Sequence, residues 1–191
     1  ITVLPGDGIG PEVVAEGLKV LKTVGSKLRH RFNLTSDEVG GAAIDKYGVA
    51  LRQETLDMAL RSDAVLFGAV GGPKWEDPAA NVRPEDGLLA LRKGLSLFAN
   101  IRPVKVVPEL SHASVIKPEV LQGVDMVVIR ELTGGLYYGL PKGRMKTKRG
   151  WTGVDTMRYS QAEIDRVLRV GFELARGRRK KLTSVDKSNV L

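Results

Sequence analysis

The sequence contains no cysteine and only two histidines, His30 and His112. Disulfides and thiolate metal sites are therefore excluded, and two isolated histidines do not form an imidazole cluster, so both are expected at the surface. No apolar run approaches the roughly 20 residues of a membrane-spanning helix. Asp7 interrupts the N-terminal segment where a secretory signal would stay apolar. These absences favour a cytoplasmic globular protein with no membrane partner.

The net charge of +8 is concentrated in two short segments, residues 142–149 (the first basic segment) and residues 176–181 (the second basic segment). Each holds five basic residues and no acid, and removing these ten residues leaves 20 basic against 22 acidic residues. Aromatic residues do not alternate with the basic ones, and no nucleic-acid motif surrounds them. We therefore interpret both segments as solvated basic faces, with phosphate binding as the alternative.

Residues 83–103, RPEDGLLALRKGLSLFANIRP, predict a short helix followed by a strand. Pro84 suits the first helical position, the next two acidic residues suit its N-terminal end, and leucines recur on one face. Arg92 then leaves the C-terminal half of the helix, and Arg102 follows the apolar strand at 97–101. Two guanidinium groups held by a helix and a strand suit a small carboxylate-bearing ligand. Two solvated surface arginines are the alternative.

The first part of the chain predicts alternating strands and helices. Residues 1–4 form a short strand that leads through PGDGIGP into a helix from Pro11. The glycine spacing differs from the dinucleotide fingerprint, so a Rossmann pyrophosphate site is not expected, and a simple tight turn is the alternative. The other elements predicted here are a strand at 31–39, a short helix within 40–48, a helix at 54–61 and a buried parallel strand at 64–70. A long loop follows that last strand, where α/β proteins place ligand sites.

The second part of the chain predicts a strand at 124–129 that ends in Arg130 and Glu131. Glycine-broken, aromatic and basic segments at 133–159 indicate a projecting hairpin arm that pairs with another subunit, with a flexible loop as the alternative. Ser160 and Glu163 form a capping box for a helix ending near Gly177. The last segment, 181–191, is predicted to begin as a strand.

The sequence resembles the N-terminal half of the 3-isopropylmalate dehydrogenases, within the β-decarboxylating isocitrate/isopropylmalate dehydrogenase family. The motifs that carry the resemblance are LPGDGIGPEV, GAVGGPKW, RPEDGLLALRK, LFANIRP, VVIRELTGGLYYG and SVDKSNVL. The resemblance implies an α/β fold with a mixed sheet flanked by helices, non-Rossmann, with the β-hairpin arm at 133–159. Residues 1–99 would belong to a first, cofactor-side domain and 100–191 to a second, substrate and dimerisation domain. Because an initiator methionine and the family's second half are missing, we expect a truncated chain.

The resemblance also implies an activity: NAD-dependent oxidative decarboxylation of (2R,3S)-3-isopropylmalate to 4-methyl-2-oxopentanoate and CO2 in leucine biosynthesis, by a homodimer. Tyr137 and Lys187 match the family's acid–base pair. The matched substrate-binding residues are Arg92, Arg102, Arg130, Glu85, Leu88, Leu89 and Val190. The segments that approach the nicotinamide end of NAD contain Ile9, Gly71, Gly72 and Asn189.

The family binds Mg2+ or Mn2+ through aspartates of its second half, and none of them is present here. We therefore expect this chain to be inactive alone. Two other classes stay open: a non-catalytic dimerisation or regulatory subunit of the same fold, and a basic nucleic-acid-binding module. The intact arginines, Tyr137 and Lys187 argue against the subunit. Within the family, the GLL segment at 87–89 is the isopropylmalate-like version.

Overall fold

The computed structural model describes residues 1–77 and 79–186. The chain divides into two compact units, Ile1–Ser96 and Leu97–Leu191. The cofactor-side and substrate roles expected for residues 1–99 and 100–191 stay predictions. Among the helices of the described ranges, none has both the length and the apolar character needed to cross a bilayer.

The first unit is built on a three-stranded parallel sheet of order β2-β1-β3, with β1 at Thr2–Gly6, β2 at Thr35–Ser36 and β3 at Val65–Ala69. The central strand β1 carries the buried residues, whereas β3 is half-buried along its length and not covered on both faces as expected. Of the strand predicted at 31–39, only Thr35–Ser36 forms a strand, and the rest of the prediction is wrong. Residues 31–34 are exposed and do not pair with β1, so they have no ladder to hold them in a strand.

The described part of this unit has four helices, α1 at Gly10–Leu28, α2 at Gly41–Tyr47, α3 at Gln53–Leu60 and α4 at Pro84–Gly94. Helix α1 packs against β1 and β3. A 3-10 turn, Pro73–Trp75, follows β3. The hydrophobic core is one cluster of four buried residues, Leu4, Val39, Ala59 and Leu91. Strand β1 and helices α3 and α4 therefore all contribute to it. Helix α4 starts with proline at its first turn, as predicted, and turns Pro84, Gly87 and Leu91 inward at helical spacing.

Residues 97–186 of the second unit contain two antiparallel strand pairs. Strands β4 (Ala99–Lys105) and β5 (Asp125–Glu131) pair over their full length, and β6 (Gly143–Thr147) and β7 (Gly150–Val154) form an exposed hairpin. The connection between β4 and β5 holds a 3-10 helix, Pro108–Ala113, and helix α5, Pro118–Leu121. Helix α6, Gln161–Arg176, packs against β5. The strands of the described residues thus form three small sheets, one parallel and two antiparallel.

The sequence predicted most elements of this unit. The hairpin within 133–159 is present, and the capping box is confirmed, since the Glu163 N–H donates to Ser160 Oγ while the Ser160 N–H donates to Glu163 Oε2. Strand β4 continues past the predicted end at residue 101 because β5 pairs with it as far as Lys105. The strand predicted from 181 is wrong for residues 181–186, which are exposed and pair with no strand.

Candidate active site

One face of the β4–β5 pair carries two arginines. Cross-strand register sets Asn100 opposite Arg130 and Arg102 opposite Val128. Because side chains alternate along a strand, Asn100, Arg102 and Arg130 project from the same face. The alternate residues of β5 face the other way, where helix α6 packs. Arg102 Nε donates to Asn100 Oδ1 at 3.0 Å, which orients the guanidinium group along this open face.

Tyr137 contacts one of these arginines, Arg130, and lies at the end of the 3-10 turn Gly135–Tyr137 that follows β5. Arg130 Nη2 donates to Tyr137 Oη at 3.0 Å, and the Arg130 Cζ lies 5.1 Å from the ring centroid. The tyrosine is 48% exposed, so a ligand can reach its hydroxyl. The arrangement brings a fixed cation and a phenolic proton donor to one spot, which suits a carboxylate substrate that needs a proton at a neighbouring atom.

Glu131, the residue after Arg130, anchors the turn between β5 and Tyr137. Its carboxylate accepts hydrogen bonds from the Thr133 N–H (2.9 Å), the Thr133 hydroxyl (2.7 Å), the Gly134 N–H (2.8 Å) and Arg166 Nη2 (2.9 Å). Burial acts to raise the pKa of this carboxyl, but the bonds from Thr133, Gly134 and Arg166 outweigh burial and hold the pKa of Glu131 below its usual value. Glu131 is therefore an ionised structural anchor at neutral pH.

Helix α4 presents a second candidate face in the first unit. Glu85, Leu88, Leu89 and Arg92 follow the spacing i, i+3, i+4, i+7, so they share one side of the helix. The leucines and Arg92 are half-buried, and Glu85 is exposed. A carboxylate, an apolar surface and a guanidinium group are therefore aligned along one helix, as expected for a pocket that discriminates between charged and apolar substituents.

A cleft of about 300 Å³ lies between the start of α4 and the loop after β3. Its lining residues are Gly71, Gly72, Trp75, Glu76, Arg83, Pro84 and Glu85. Gly71 has φ +97°, and a Cβ there would lie 2.9 Å from Glu85 Oε1. Only glycine therefore fits without strain, and the backbone at Gly71 and Gly72 is open to a ligand.

Asp7 holds the Gly71 loop in place through a hydrogen bond from the backbone. Its buried carboxylate, 4% exposed, accepts the N–H groups of Gly41 (2.6 Å), Ala42 (2.7 Å) and Gly71 (3.0 Å). Ile9, two residues further, is 57% exposed, and a Cβ on the intervening Gly8 would lie 3.5 Å from the Gly71 carbonyl oxygen. The β1–α1 turn, the first turn of α2 and the Gly71 loop are thus held together by one side chain.

The predicted site residues fall into two groups. The first unit brings together the Ile9 turn, Gly71, Gly72 and Glu85, and the second brings together Arg102, Arg130 and Tyr137. Arg92 and Arg102 lie in different units, so their convergence stays a prediction. Lys187, Asn189 and Val190 lie outside the described residues, and their predicted roles are untested.

Residues 1–77 and 79–186 contain no group of three or more His, Asp or Glu side chains that could hold a metal ion. The described residues therefore do not fit the divalent metal that the resemblance implies.

The second basic segment is in part structural, because Arg178 Nη2 donates to Asp125 Oδ1 at 2.8 Å and Arg179 Nη2 donates to the Asp125 carbonyl oxygen at 2.5 Å.

The whole chain, residues 1–191, matches the isocitrate/isopropylmalate dehydrogenase family, and it belongs to that family. It is 60% identical over 192 residues to a 3-isopropylmalate dehydrogenase of Dehalococcoides mccartyi and 54% identical over 191 residues to the 3-isopropylmalate dehydrogenase of Geobacillus kaustophilus. All of this chain is covered in both comparisons, but only 53% and 52% of those relatives. The chain thus spans about half the length of the curated relatives it matches.

Solved structures agree with this assignment. A β-decarboxylating dehydrogenase from Thermococcus kodakarensis, in its apo form, matches with a TM-score of 0.69 and 32% identity over all of this chain and 49% of that one. Isocitrate dehydrogenase from Methylococcus capsulatus matches with a TM-score of 0.75 and 27% identity over 93% of this chain and 48% of that one. The predicted family and fold class are therefore confirmed.

Sequence reasoning missed three residues that organise the site: Asp7, Asn100 and Arg166. An aspartate enclosed by glycines after a buried strand is a recognisable loop anchor, and Asn100 two positions before Arg102 indicates a shared strand face. Arg166 gives no such signal, because its partner Glu131 lies 35 residues away in the sequence.

Proposed function

We propose that this sequence forms the N-terminal half of an NAD-dependent 3-isopropylmalate dehydrogenase. Relatives of that name at 54–60% identity support the proposal. The observation that carries it is the pair formed by Arg130 and Tyr137, hydrogen-bonded at 3.0 Å on the same open face as Arg102. The proposal includes a cytoplasmic homodimer paired through the arm at 133–159.

The arginines bind the malate carboxylates of the substrate. Arg102 and Arg130 project from one strand face of the second unit, and the family resemblance assigns Arg92 of α4 to the same role. Planar guanidinium forks match carboxylates by two parallel hydrogen bonds, which fixes the substrate's orientation as well as its charge. Binding of this kind places the reacting carbons at a defined distance from the acid and the base.

Two side chains move the protons. Lys187 accepts the proton of the 2-hydroxyl group as hydride leaves C2, and Tyr137 delivers a proton to C3 after the C3 carboxylate departs as CO2. One proton is taken and one is returned, so isopropylmalate and NAD give 4-methyl-2-oxopentanoate, CO2 and NADH. Arg130 holds the Tyr137 hydroxyl by donating to its oxygen, which leaves the phenolic hydrogen free to point at the substrate.

NAD, when bound, supplies the hydride acceptor. The open backbone of Gly71 and Gly72 beside Glu85 fits its nicotinamide end, and Ile9 and Asn189 would complete the contact. The divalent metal of the family, Mg2+ or Mn2+, would need ligands from beyond the described residues.

Substrate choice is assigned to helix α4. Leu88 and Leu89 offer apolar surface to the isopropyl group, and Glu85 on the same side repels the third carboxylate of isocitrate. A lost methyl contact costs only ~1–3 kcal/mol, whereas two carboxylates facing each other in a desolvated pocket cost several kcal/mol. Glu85 is therefore the main excluding group, and the leucines grade alkyl substituents.

The proposal is tested with two proteins. One is the 191-residue chain. The other, the completed enzyme, is this chain continued beyond Leu191 by its own coding sequence or, where there is none, by the C-terminal half of the D. mccartyi relative. We expect isopropylmalate-dependent NADH formation that requires Mg2+ or Mn2+ from the completed enzyme and none from the 191-residue chain.

Variants then test the assigned proton donor. Tyr137→Phe in the completed enzyme should lower kcat by ~10²–10⁴-fold, the usual contribution of a general acid, while Tyr138→Phe serves as the matched control. Turnover by the chain alone would contradict the fragment expectation. A completed enzyme that prefers isocitrate, or that oxidises neither substrate, would contradict the proposed function.

A further inference from the structure

Glu131 and Arg166 form a partly buried ion pair, which we call the clamp, next to the Arg130–Tyr137 pair. The Glu131 side chain is 8% exposed and that of Arg166 is 35% exposed, and Arg166 Nη2 donates to Glu131 Oε1 at 2.9 Å. The same nitrogen also bonds the Thr133 hydroxyl oxygen. A charge-assisted pair of this burial is far less screened by water than a surface ion pair, so it restrains both side chains.

Helix α6 supplies the arginine from a supported position. Its guanidinium carbon lies 4.9 Å from the centroid of the Phe98 ring, which adds a cation–π contact at the entry to β4. The helix packs against β5, and a Cβ on Gly171 would lie 3.7 Å from Ile129 Cδ1, so the helix approaches the strand closely one turn further on. The clamp thus connects helix α6, the end of β5, the turn after β5 and Phe98 just before β4.

The clamp acts on the residues that flank the turn. Glu131 directly follows Arg130, and its carboxylate accepts the N–H groups of Thr133 and Gly134, which lead into the 3-10 turn that ends at Tyr137. Arg130 and Tyr137 are both exposed, and an exposed hydrogen bond between them is worth too little to hold the pair on its own. Their 3.0 Å separation therefore depends on how the backbone is held at each end of the turn.

We propose that Arg166 and Glu131 are positioning residues that set the Tyr137 hydroxyl against Arg130 for proton delivery to C3. The inference rests on the proposed function, in which Arg130 binds a carboxylate and Tyr137 is the acid. Neither clamp residue touches the substrate. Their effect passes through the Thr133–Gly134 turn, and a misplaced acid slows proton transfer more than it weakens cofactor binding.

The test uses Arg166→Met and Arg166→Lys in the completed enzyme, with exposed Arg169→Met on the same helix as the matched control. Arg166→Met should lower kcat for isopropylmalate by ~10–100-fold, because an ångström of misplacement has effects of that size. The solvent deuterium isotope effect on kcat should rise as proton delivery becomes rate-limiting, and the KM for NAD should stay within about twofold. Arg166→Lys, which keeps the charge but lacks the fork, should lie between wild type and Arg166→Met.

Two results would overturn the positioning role. One is an unchanged kcat and isotope effect in a folded Arg166→Met enzyme. The other is a drop in kcat, a rise in the KM for NAD and a lower melting temperature together with an unchanged isotope effect, which describes a merely structural residue. If Arg166→Met does not fold, Thr133→Val removes the hydroxyl shared by the clamp and leaves the ion pair, and it should raise the isotope effect with a smaller loss of kcat.

A separate readout distinguishes failure of this inference from failure of the proposed function. If the completed wild-type enzyme does not oxidise isopropylmalate, the function fails and the clamp is still measurable in the 191-residue chain. Arg166→Met should speed amide hydrogen exchange at Thr133 and Gly134 by ~10-fold or more, since both N–H groups lose their anchored acceptor. Exchange at the wild-type rate would overturn the clamp.

Discussion

Replacing Asp7 by asparagine should destabilise the first unit by breaking the junction of three loops. The Asp7 carboxylate accepts three backbone N–H groups, two at Oδ2 from Gly41 and Gly71 and one at Oδ1 from Ala42. An asparagine keeps only one acceptor oxygen, and its NH2 group must face at least one N–H donor. The orientation that preserves the bonds from Gly41 and Gly71 leaves Ala42 opposite the amide nitrogen.

The magnitude follows from this count of bonds. A hydrogen bond to a charged acceptor contributes ~1.5–3 kcal/mol, and a buried donor left unpaired costs ~1–3 kcal/mol. For one lost bond these two costs describe in part the same loss, so they are not added in full. We therefore expect Asp7→Asn to lower the free energy of unfolding by ~2–4 kcal/mol. Asp7→Ala leaves all three donors without the carboxylate and should cost more.

Tryptophan fluorescence gives a local assay. The chain has two tryptophans, and the ring of Trp75 lies so close to Gly41 that no Cβ would fit between them. Urea unfolding of the 191-residue chain in a Trp151→Phe background therefore reports the neighbourhood of Asp7. The exposed Asp63→Asn is the control and should change stability by less than ~0.5 kcal/mol. An equally small effect of Asp7→Asn would refute the reasoning.

Three further predictions concern substrate choice, acid stability and nucleic acid. In the completed enzyme, Leu88→Ala should lower kcat/KM for isopropylmalate by ~10–200-fold and leave isocitrate a poor substrate, because the repelling Glu85 remains; steady-state kinetics that show good isocitrate turnover would reassign the excluding group. The lowered pKa of Glu131 means that the native state binds fewer protons than the unfolded one, so its stabilising contribution is present above the unfolded-state pKa and is lost as pH falls through the folded-state pKa. Over the acid range in which Glu131 becomes protonated, the urea midpoint should therefore depend less on pH in Glu131→Gln than in wild type. An equal dependence of the midpoint on pH in the two proteins would contradict the prediction. The basic segments should bind random duplex DNA more weakly than ~1 μM at physiological salt, and tighter binding in an anisotropy titration would favour a nucleic-acid role.

Elements whose signals are local were predicted from the sequence. Helix α4 combines proline at its first turn, acids beside it and leucines at helical spacing, and each of these acts within a few residues. The capping box at Ser160 is equally local. The strand expected at 31–39 failed for the opposite reason, because a strand needs a partner, and only Thr35 and Ser36 of that range form ladder pairs with β1.

The site could be predicted only where a residue carries its own chemistry. Guanidinium groups and a tyrosine in recognisable motifs indicated Arg102, Arg130 and Tyr137. The residues that hold them in place are ordinary in sequence: Asp7 bonds Gly71 across 64 positions, and Glu131 bonds Arg166 across 35. Contacts of that range arise from packing of whole elements, which local patterns do not encode.

The exposure of Arg102 and Arg130 limits how strongly the open face of the β4–β5 pair can attract an anion. Two unit charges 4 Å apart attract by ~1 kcal/mol in water but by ~4 kcal/mol at the effective dielectric of a partly covered protein site. Arg102 and Arg130 are exposed in the second unit, so under the proposed function they would bind a dianion weakly while water surrounds them. Their contribution grows only when other protein groups exclude that water. The clamp at Glu131 and the junction at Asp7 each hold one face in place within their own unit, so under the proposed function the groups assigned to binding and proton delivery need no rearrangement within either unit.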